Sequence, residues 1–283
     1  MQDNVSDNLF DEKMYLECNP DVRRAVASGQ FKSGFEHFVT FGRFENRSGV
    51  RDDPMAQEMS SRYPPEHLRF RVHGGRDLAG YLRLGETIAR NLNQLLLDKM
   101  VELPASANVL DFGCGPGRVI TWFQPEHKEW KFHGTDIDPE AIGWARDNLS
   151  NIAAFDCNEA SPSLRYADGY FDFIYSISIF THLPELMQSA WLAELARIIR
   201  PGGYLALTTH GGSLLPKRLQ MPSSGFYYAV GDGTAGLPEF YQTSFQTTEY
   251  IEREWSKYFR IEKILERGLA EHQDLVVCRK PSN

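Results

Sequence analysis

Val109-Leu110-Asp111-Phe112-Gly113-Cys114-Gly115-Pro116-Gly117 is the stretch that decides the fold. An apolar run enters three glycines spaced G-x-G-x-G, and a helix opens behind them. Glycine lets the backbone turn sharply, and without a Cβ it lets a ligand lie directly on the main chain. A dinucleotide-binding loop would read G-x-G-x-x-G, with Gly or Ala at position 118. Arg118 stands there instead, and Pro116 removes an N–H that a pyrophosphate would use. Both points argue against NAD. Asp111 suits a ligand that carries an ammonium group. Asp136 closes the next apolar run about 20 residues after the loop, where an acid accepts hydrogen bonds from both ribose hydroxyls. A third run ends at Asp156-Cys157-Asn158-Glu159, where a side chain can meet an adenine amino group.

Outward from this loop, strands and helices alternate. Strands are expected near 107–112, 131–136, 152–156, 171–178 and 203–209, with helices at 117–123, 139–149 and 185–199. A helix from about Leu78 to Met100 precedes them, with Ile88, Leu92, Leu95 and Leu96 on one face. Such alternation implies a mostly parallel sheet covered by helices. After a helix at 247–257, two further strands, 259–265 and 273–279, are joined only by Glu266 to His272. That connection is too short for a parallel crossover, so the last pair is antiparallel. The expected fold is α/β: a seven-stranded, mostly parallel sheet with an antiparallel last strand. It occupies 81–283 and carries a lid-like insertion at about 211–248.

Residues 1–50 read as a small helical unit. Phe10, Tyr15, Leu16, Val22, Val26, Phe31, Phe35 and Phe38 recur at roughly helical spacing, and Asn19-Pro20 marks a helix start. Residues 51–80, with Asp53-Pro54, Pro64-Pro65 and Gly74-Gly75, read as a linker. The 283 residues carry a net charge of −8, and no basic stripe offers phosphate contacts, which disfavours nucleic acid as a partner. Cys18, Cys114, Cys157 and Cys278 lie far apart, so neither a zinc pair nor a disulfide framework is expected. The polar, acidic start and the lack of a long apolar run imply neither a signal peptide nor a membrane span, hence a cytoplasmic protein.

At the glycine loop the sequence resembles the class I, Rossmann-like S-adenosylmethionine-dependent methyltransferases. Their first motif, hhDhGxGxG with h apolar, is matched throughout by VLDFGCGPG. The acid after the second strand is Asp136. The fourth-strand pattern FDhhhS is Phe171-Asp172-Phe173-Ile174-Tyr175-Ser176, and a Pro-Gly-Gly turn follows at Pro201-Gly202-Gly203. The resemblance covers about 80–283. It implies that Asp111, Gly113 and Gly115 hold the methionine end of the donor, with Cys114 and Gly117 of the same loop also at the cofactor. It places Asp136 on the ribose, Ile137 on the adenine face, Asn158 at the adenine edge and Ser176 in the same site. Phe10 to Arg47 separately resembles a short helical module found beside bacterial glycosyltransferases, which would make a sugar the methyl acceptor.

In open α/β sheets ligands bind at the carboxyl ends of the strands. His182 follows the fourth strand, His210 closes the fifth, and His272 lies in the turn before the last strand. All three are expected on one rim as candidate bases for a hydroxyl acceptor, because imidazole titrates near neutrality. The segment after His210 brings Tyr227, Tyr228 and Tyr241 as candidate acceptor contacts. The expected activity is O-methylation of a glycan or small-molecule hydroxyl. The alternatives are methylation of a small amine, or S-adenosylmethionine binding without turnover. No metal is expected, although an acid such as Asp274 near the histidines would permit one.

Overall fold

The computed structural model describes residues 10–42, 63–75, 77–231 and 237–282. The chain divides into two compact units, residues 1–83 and 84–283.

In the first unit, helices span Glu12–Cys18, Pro20–Ala27 and Gly34–His37, and a π-turn spans Phe38–Gly42. Pro20 takes the first helical turn, where its missing N–H costs nothing. The helix at Gly34 is capped twice. Ser33 Oγ accepts from Glu36 N, and the Glu12 carboxylate accepts from Gly34 N at 2.6 Å and Phe35 N at 2.9 Å. Tyr15, Val22 and Phe38 form a small core against Phe10, Leu16 and Val26. Within the stretch read as a linker, Glu66–His73 is helical and ends on left-handed Gly74. Residues 43–62, the boundary between the expected unit and linker, lie outside the described residues.

Among its described residues the second unit has nine strands: β1 Asn108–Phe112, β2 Lys131–Asp136, β3 Ala154–Cys157, β4 Phe171–Ser176, β5 Ile199–Thr209, β6 Phe226–Ala229, β7 Thr243–Gln246, β8 Arg260–Leu269 and β9 Gln273–Arg279. Seven of them form one sheet in the order β3-β2-β1-β4-β5-β9-β8. β3, β2, β1, β4 and β5 pair parallel, while β9 runs antiparallel to both β5 and β8. Alternate residues serve opposite faces. Val109, Phe173, Tyr175 and Ala206 pack on Ile88, Leu92, Ile120, Phe123 and Ile142. Leu110, Phe112, Ile174 and Leu205 pack on Trp191, Leu192 and Leu195 of the helix Glu185–Ile198, and on Ile251 and Trp255 of the helix Thr248–Trp255.

Three local differences from the expected elements have physical causes. The helix behind the glycine loop is short, Ile120–Phe123, followed by a 3-10 turn through Pro125. β5 begins at Ile199, and Pro201-Gly202-Gly203 is a bulge within it. Phe171 pairs with Ile199, and the register resumes at Phe173 with Tyr204. Asp172 fixes that bulge: its carboxylate takes Arg200 Nε at 2.5 Å and Asn108 N at 2.8 Å, so the acid of the fourth-strand motif is a brace. β8 continues to Leu269, leaving a tight turn in which Ala270 and Glu271 both have φ near +50°. A bulge at Arg267, whose N–H donates to Asp274 at 2.9 Å, absorbs the extra residues.

Candidate functional site

At the carboxyl end of β1 the chain turns on three left-handed glycines, Gly113 (φ 83°), Gly115 (52°) and Gly117 (84°). Gly113 N and Cys114 N donate to Thr135 O at 2.8 and 3.1 Å, which ties the loop to β2. A Cβ on Gly113 would lie 2.3 Å from Ile179, so the backbone conformation and the available space both demand glycine there. Asp136 closes the loop from below. Its Oδ2 accepts from Gly115 N at 2.7 Å and its Oδ1 from Asp138 N at 2.9 Å. Burial pushes its carboxyl up to about 6. Ile137, part-exposed, follows on the same edge.

Asp111 is buried, and its Oδ2 has no hydrogen-bond partner. Tyr175 lies opposite it in register on β4, and its buried hydroxyl is the neighbour that draws the Asp111 carboxyl down, without reaching the geometry of a full hydrogen bond. Burial lifts the Asp111 carboxyl to about 8, with Asp136 adding to the rise. An unsatisfied carboxylate beside a glycine cradle fits a cationic ligand whose ammonium would complete it. The donor residues read from the sequence therefore meet along the ends of β1 and β2. Cys114 contributes main chain, since its thiol is buried. Ser176 plays a structural part: fully buried, it donates to Phe112 O at 2.8 Å across β4 and β1.

A cavity of about 330 Å³ opens at the end of β3, with Thr135, Asn158, Glu159 and Tyr166 in its wall. The connection from β3 to β4 has no helix. It is held by the pair Arg197–Glu194. Arg197 donates to Tyr166 O at 2.9 Å, Leu164 O at 3.0 Å and both Glu194 oxygens, while Leu164 N donates to Glu194 at 2.6 Å.

The three histidines meet on one rim. His182 and His210 ring centroids are 6.1 Å apart, and those of His210 and His272 are 6.5 Å apart. Among the described residues no group of histidine, cysteine, aspartate or glutamate side chains is disposed to hold a metal. His182 Nδ1 lies 2.6 Å from Gln242 O, and its ring stacks on Tyr241 at 4.4 Å. Burial, with His182 and His272 adding to it, drives the His210 imidazole down to about 4.

The insertion is a two-stranded antiparallel sheet of β6 and β7. β7 and the residue before it are bolted to the turn after β4 and to the end of β5: Ser244 N donates to Thr181 O and Gln242 N to His182 O, while Gln246 N donates to His210 O. Beneath it lies a fully buried amide network. Gln246 Nε2 donates to Phe180 O and Gln188 Oε1, and Gln188 Nε2 donates to Phe180 O and Leu183 O. Residues 232–236 lie outside the described residues.

Of the three candidate acceptor tyrosines, two spend their hydroxyls inside the protein. Tyr228 donates to Phe240 O, and Tyr241 donates to Ser178 O at 2.7 Å. Ser178 itself, with φ at 62°, is a residue the sequence reading missed. Thr208 accepts its N–H at 2.8 Å and Gln273 holds its hydroxyl at 2.9 Å, so three segments stabilise a strained turn over the loop. No local pattern announces it. Tyr166, also missed, sits in a connection whose lack of helical periodicity was the one available signal.

A family model described as a methyltransferase domain matches residues 80–269. The methyltransferase GfsG of Streptomyces halstedii is 30% identical over 175 residues, covering 57% of this chain and 61% of that protein. The trans-aconitate 2-methyltransferase of Methylobacterium nodulans is 30% identical over 164 residues, covering 58% and 57%. The chain thus spans about three-fifths of the length of these curated relatives. A solved S-adenosylmethionine-dependent methyltransferase from Aquifex aeolicus shares the fold, with a TM-score of 0.50 at 16% identity, over 77% of this chain and 99% of that one. Among the described residues no helix is long and apolar enough to cross a membrane.

Proposed function

The chain belongs to the methyltransferase-domain family of S-adenosylmethionine-dependent enzymes, and we propose that it methylates a hydroxyl of a sugar, a glycan or another small molecule. The donor fits the glycine cradle: Asp111 receives its ammonium and Asp136 its ribose. Bound there, it supplies a methyl group on a positively charged sulfur, open to in-line attack by an acceptor held about 3–3.5 Å away.

The observation that carries the acceptor reading is the clamp on His182. Donation from Nδ1 to the Gln242 carbonyl fixes the tautomer, so Nε2 is the basic nitrogen, and the Tyr241 ring holds the imidazole plane. A hydroxyl must shed its proton as it attacks, and an oriented imidazole serves as the base. His210, held neutral far below physiological pH, is a weak base on the same rim. His272 completes the rim. Tyr227 contacts the acceptor from β6, while Tyr228 and Tyr241 support the wall.

Residues 10–42 carry none of the donor groups and serve as a docking or acceptor-gating element. The four free thiols suit a reducing cytoplasm, and the acidic charge speaks against nucleic acid. The relative named for trans-aconitate makes carboxylates the acceptor class to test against. They and amines need little help from a base.

Methyl-labelled donor incubated with panels of sugars, carboxylic acids and amines separates these readings. Transfer to a sugar hydroxyl is expected, with a rate that declines toward acid pH as the base is protonated; a decline only near 4 would assign the base to His210. His182→Ala should lower turnover by about 10²–10⁴ and leave donor affinity unchanged. Labelling confined to acids or amines, indifferent to His182→Ala, overturns the proposal.

A further inference from the structure

The cavity at the end of β3 contrasts two polar side chains. Asn158, the residue expected at the adenine edge, has both ends of its carboxamide engaged. Its Oδ1 accepts from Thr135 Oγ1 at 2.8 Å, and its Nδ2 donates to Glu159 O at 2.9 Å. Tyr166, in the same wall, has a buried hydroxyl without a hydrogen-bond partner. Buried polar atoms in native proteins are nearly always satisfied, and the exceptions call for a reason.

Tyr166 is also held in place. Its carbonyl is tied to Arg197, and its ring lies edge-on to Phe171 at 4.7 Å and His133 at 5.5 Å. Tyr170 packs alongside at 5.9 Å. A phenol fixed in this way waits for a partner to be brought to it. Burial, with Asp156 nearby, pushes its proton loss far above the physiological range, so it acts as a donor. A purine offers the complementary group, an aromatic ring nitrogen with an in-plane lone pair.

We propose that Tyr166 reads the purine of the methyl donor, its hydroxyl donating a hydrogen bond to a ring nitrogen of adenine in the β3-end cavity. This rests on the donor assignment above and adds the specificity-determining residue. Asn158 then shapes the wall without reading the base.

The test is calorimetry of the full chain with S-adenosylhomocysteine, beside thermal melts without ligand. Tyr166→Phe should bind about tenfold more weakly, the loss expected for one hydrogen bond to a neutral acceptor. Its ligand-free melting temperature should be unchanged or higher, because an unpartnered buried hydroxyl has been removed. A structural hydroxyl would give the reverse, a lower melt with affinity intact, and that result overturns the proposal. The unaltered protein supplies a second arm. One of the 1-, 3- and 7-deaza analogues should bind it about tenfold more weakly and bind Tyr166→Phe no worse. Equal affinity for all three analogues also overturns it. Absence of binding by the unaltered chain would instead remove the donor assignment, and this inference with it.

Discussion

Along the ends of β1 and β2 the groups proposed to hold the methionine end and ribose of the donor fall between Asp111 and Asp136, and most of them are main chain: left-handed glycines, loop amides tied to Thr135, and Gly115 N on Asp136. The histidine rim is assembled from four separate segments, around His182, His210, Tyr241 to Gln246, and His272. It is held by side-chain amides, a ring stack and a strained serine. A site made of backbone geometry is set by local sequence and tolerates little substitution at the glycines. A site made of long-range side-chain contacts depends on the whole sheet closing, and it tolerates change wherever a partner can be replaced.

The largest effect that sharpens this contrast is expected at Gly113. Gly113→Val forces a branched residue into φ 83° and into contact with Ile179. S-adenosylhomocysteine affinity should fall by roughly 100-fold or more, since backbone strain of about 1–3 kcal/mol adds to the lost cradle. Calorimetry on a folded variant that binds within threefold of the parent would break the comparison.

On the other side, Gln246→Ala strands Gln188 Oε1 in a buried position and removes one of the three donors to Phe180 O, which keeps Gln188 Nε2 and Ser244 Oγ. It should cost about 2–3 kcal/mol of stability in chemical denaturation, while donor affinity stays nearly unchanged. A parallel loss of donor affinity would show that the two regions are one cooperative site.

The smallest effect is a pH dependence confined to the donor edge. Asp111 is held up to about 8, so at neutral pH it is largely protonated in the free protein. A bound ammonium favours the ionised form, so binding releases a proton. Affinity for S-adenosylhomocysteine should therefore weaken several-fold as pH falls from 8 to 6. Titrations in buffers of different ionisation heat read the proton release, and Asp111→Asn should flatten both signals. The sign for folding runs the opposite way. A carboxyl with a raised folded value stabilises the ligand-free protein at low pH, and that contribution is lost as pH rises through about 8.

By itself the sequence determined the order of strands and helices, the antiparallel end of the sheet, the glycine loop with its two acids, and the convergence of three histidines. Each follows from periodicity, from a connection too short to cross over, or from backbone conformations that only glycine adopts cheaply. Only the tertiary structure decided what the side chains do. Asp172 and Ser176 became braces, Asn158 was consumed by Thr135 and Glu159, and Tyr228 and Tyr241 turned their hydroxyls inward. It also clamped the His182 ring between Gln242 O and Tyr241, buried His210, and left Tyr166 as the unpartnered phenol. The reason is that hydrogen-bond satisfaction and burial are properties of pairs brought together from distant parts of the chain. In Gln273 and Ser178 they lie 95 residues apart, and no local pattern records which partner a polar group will find.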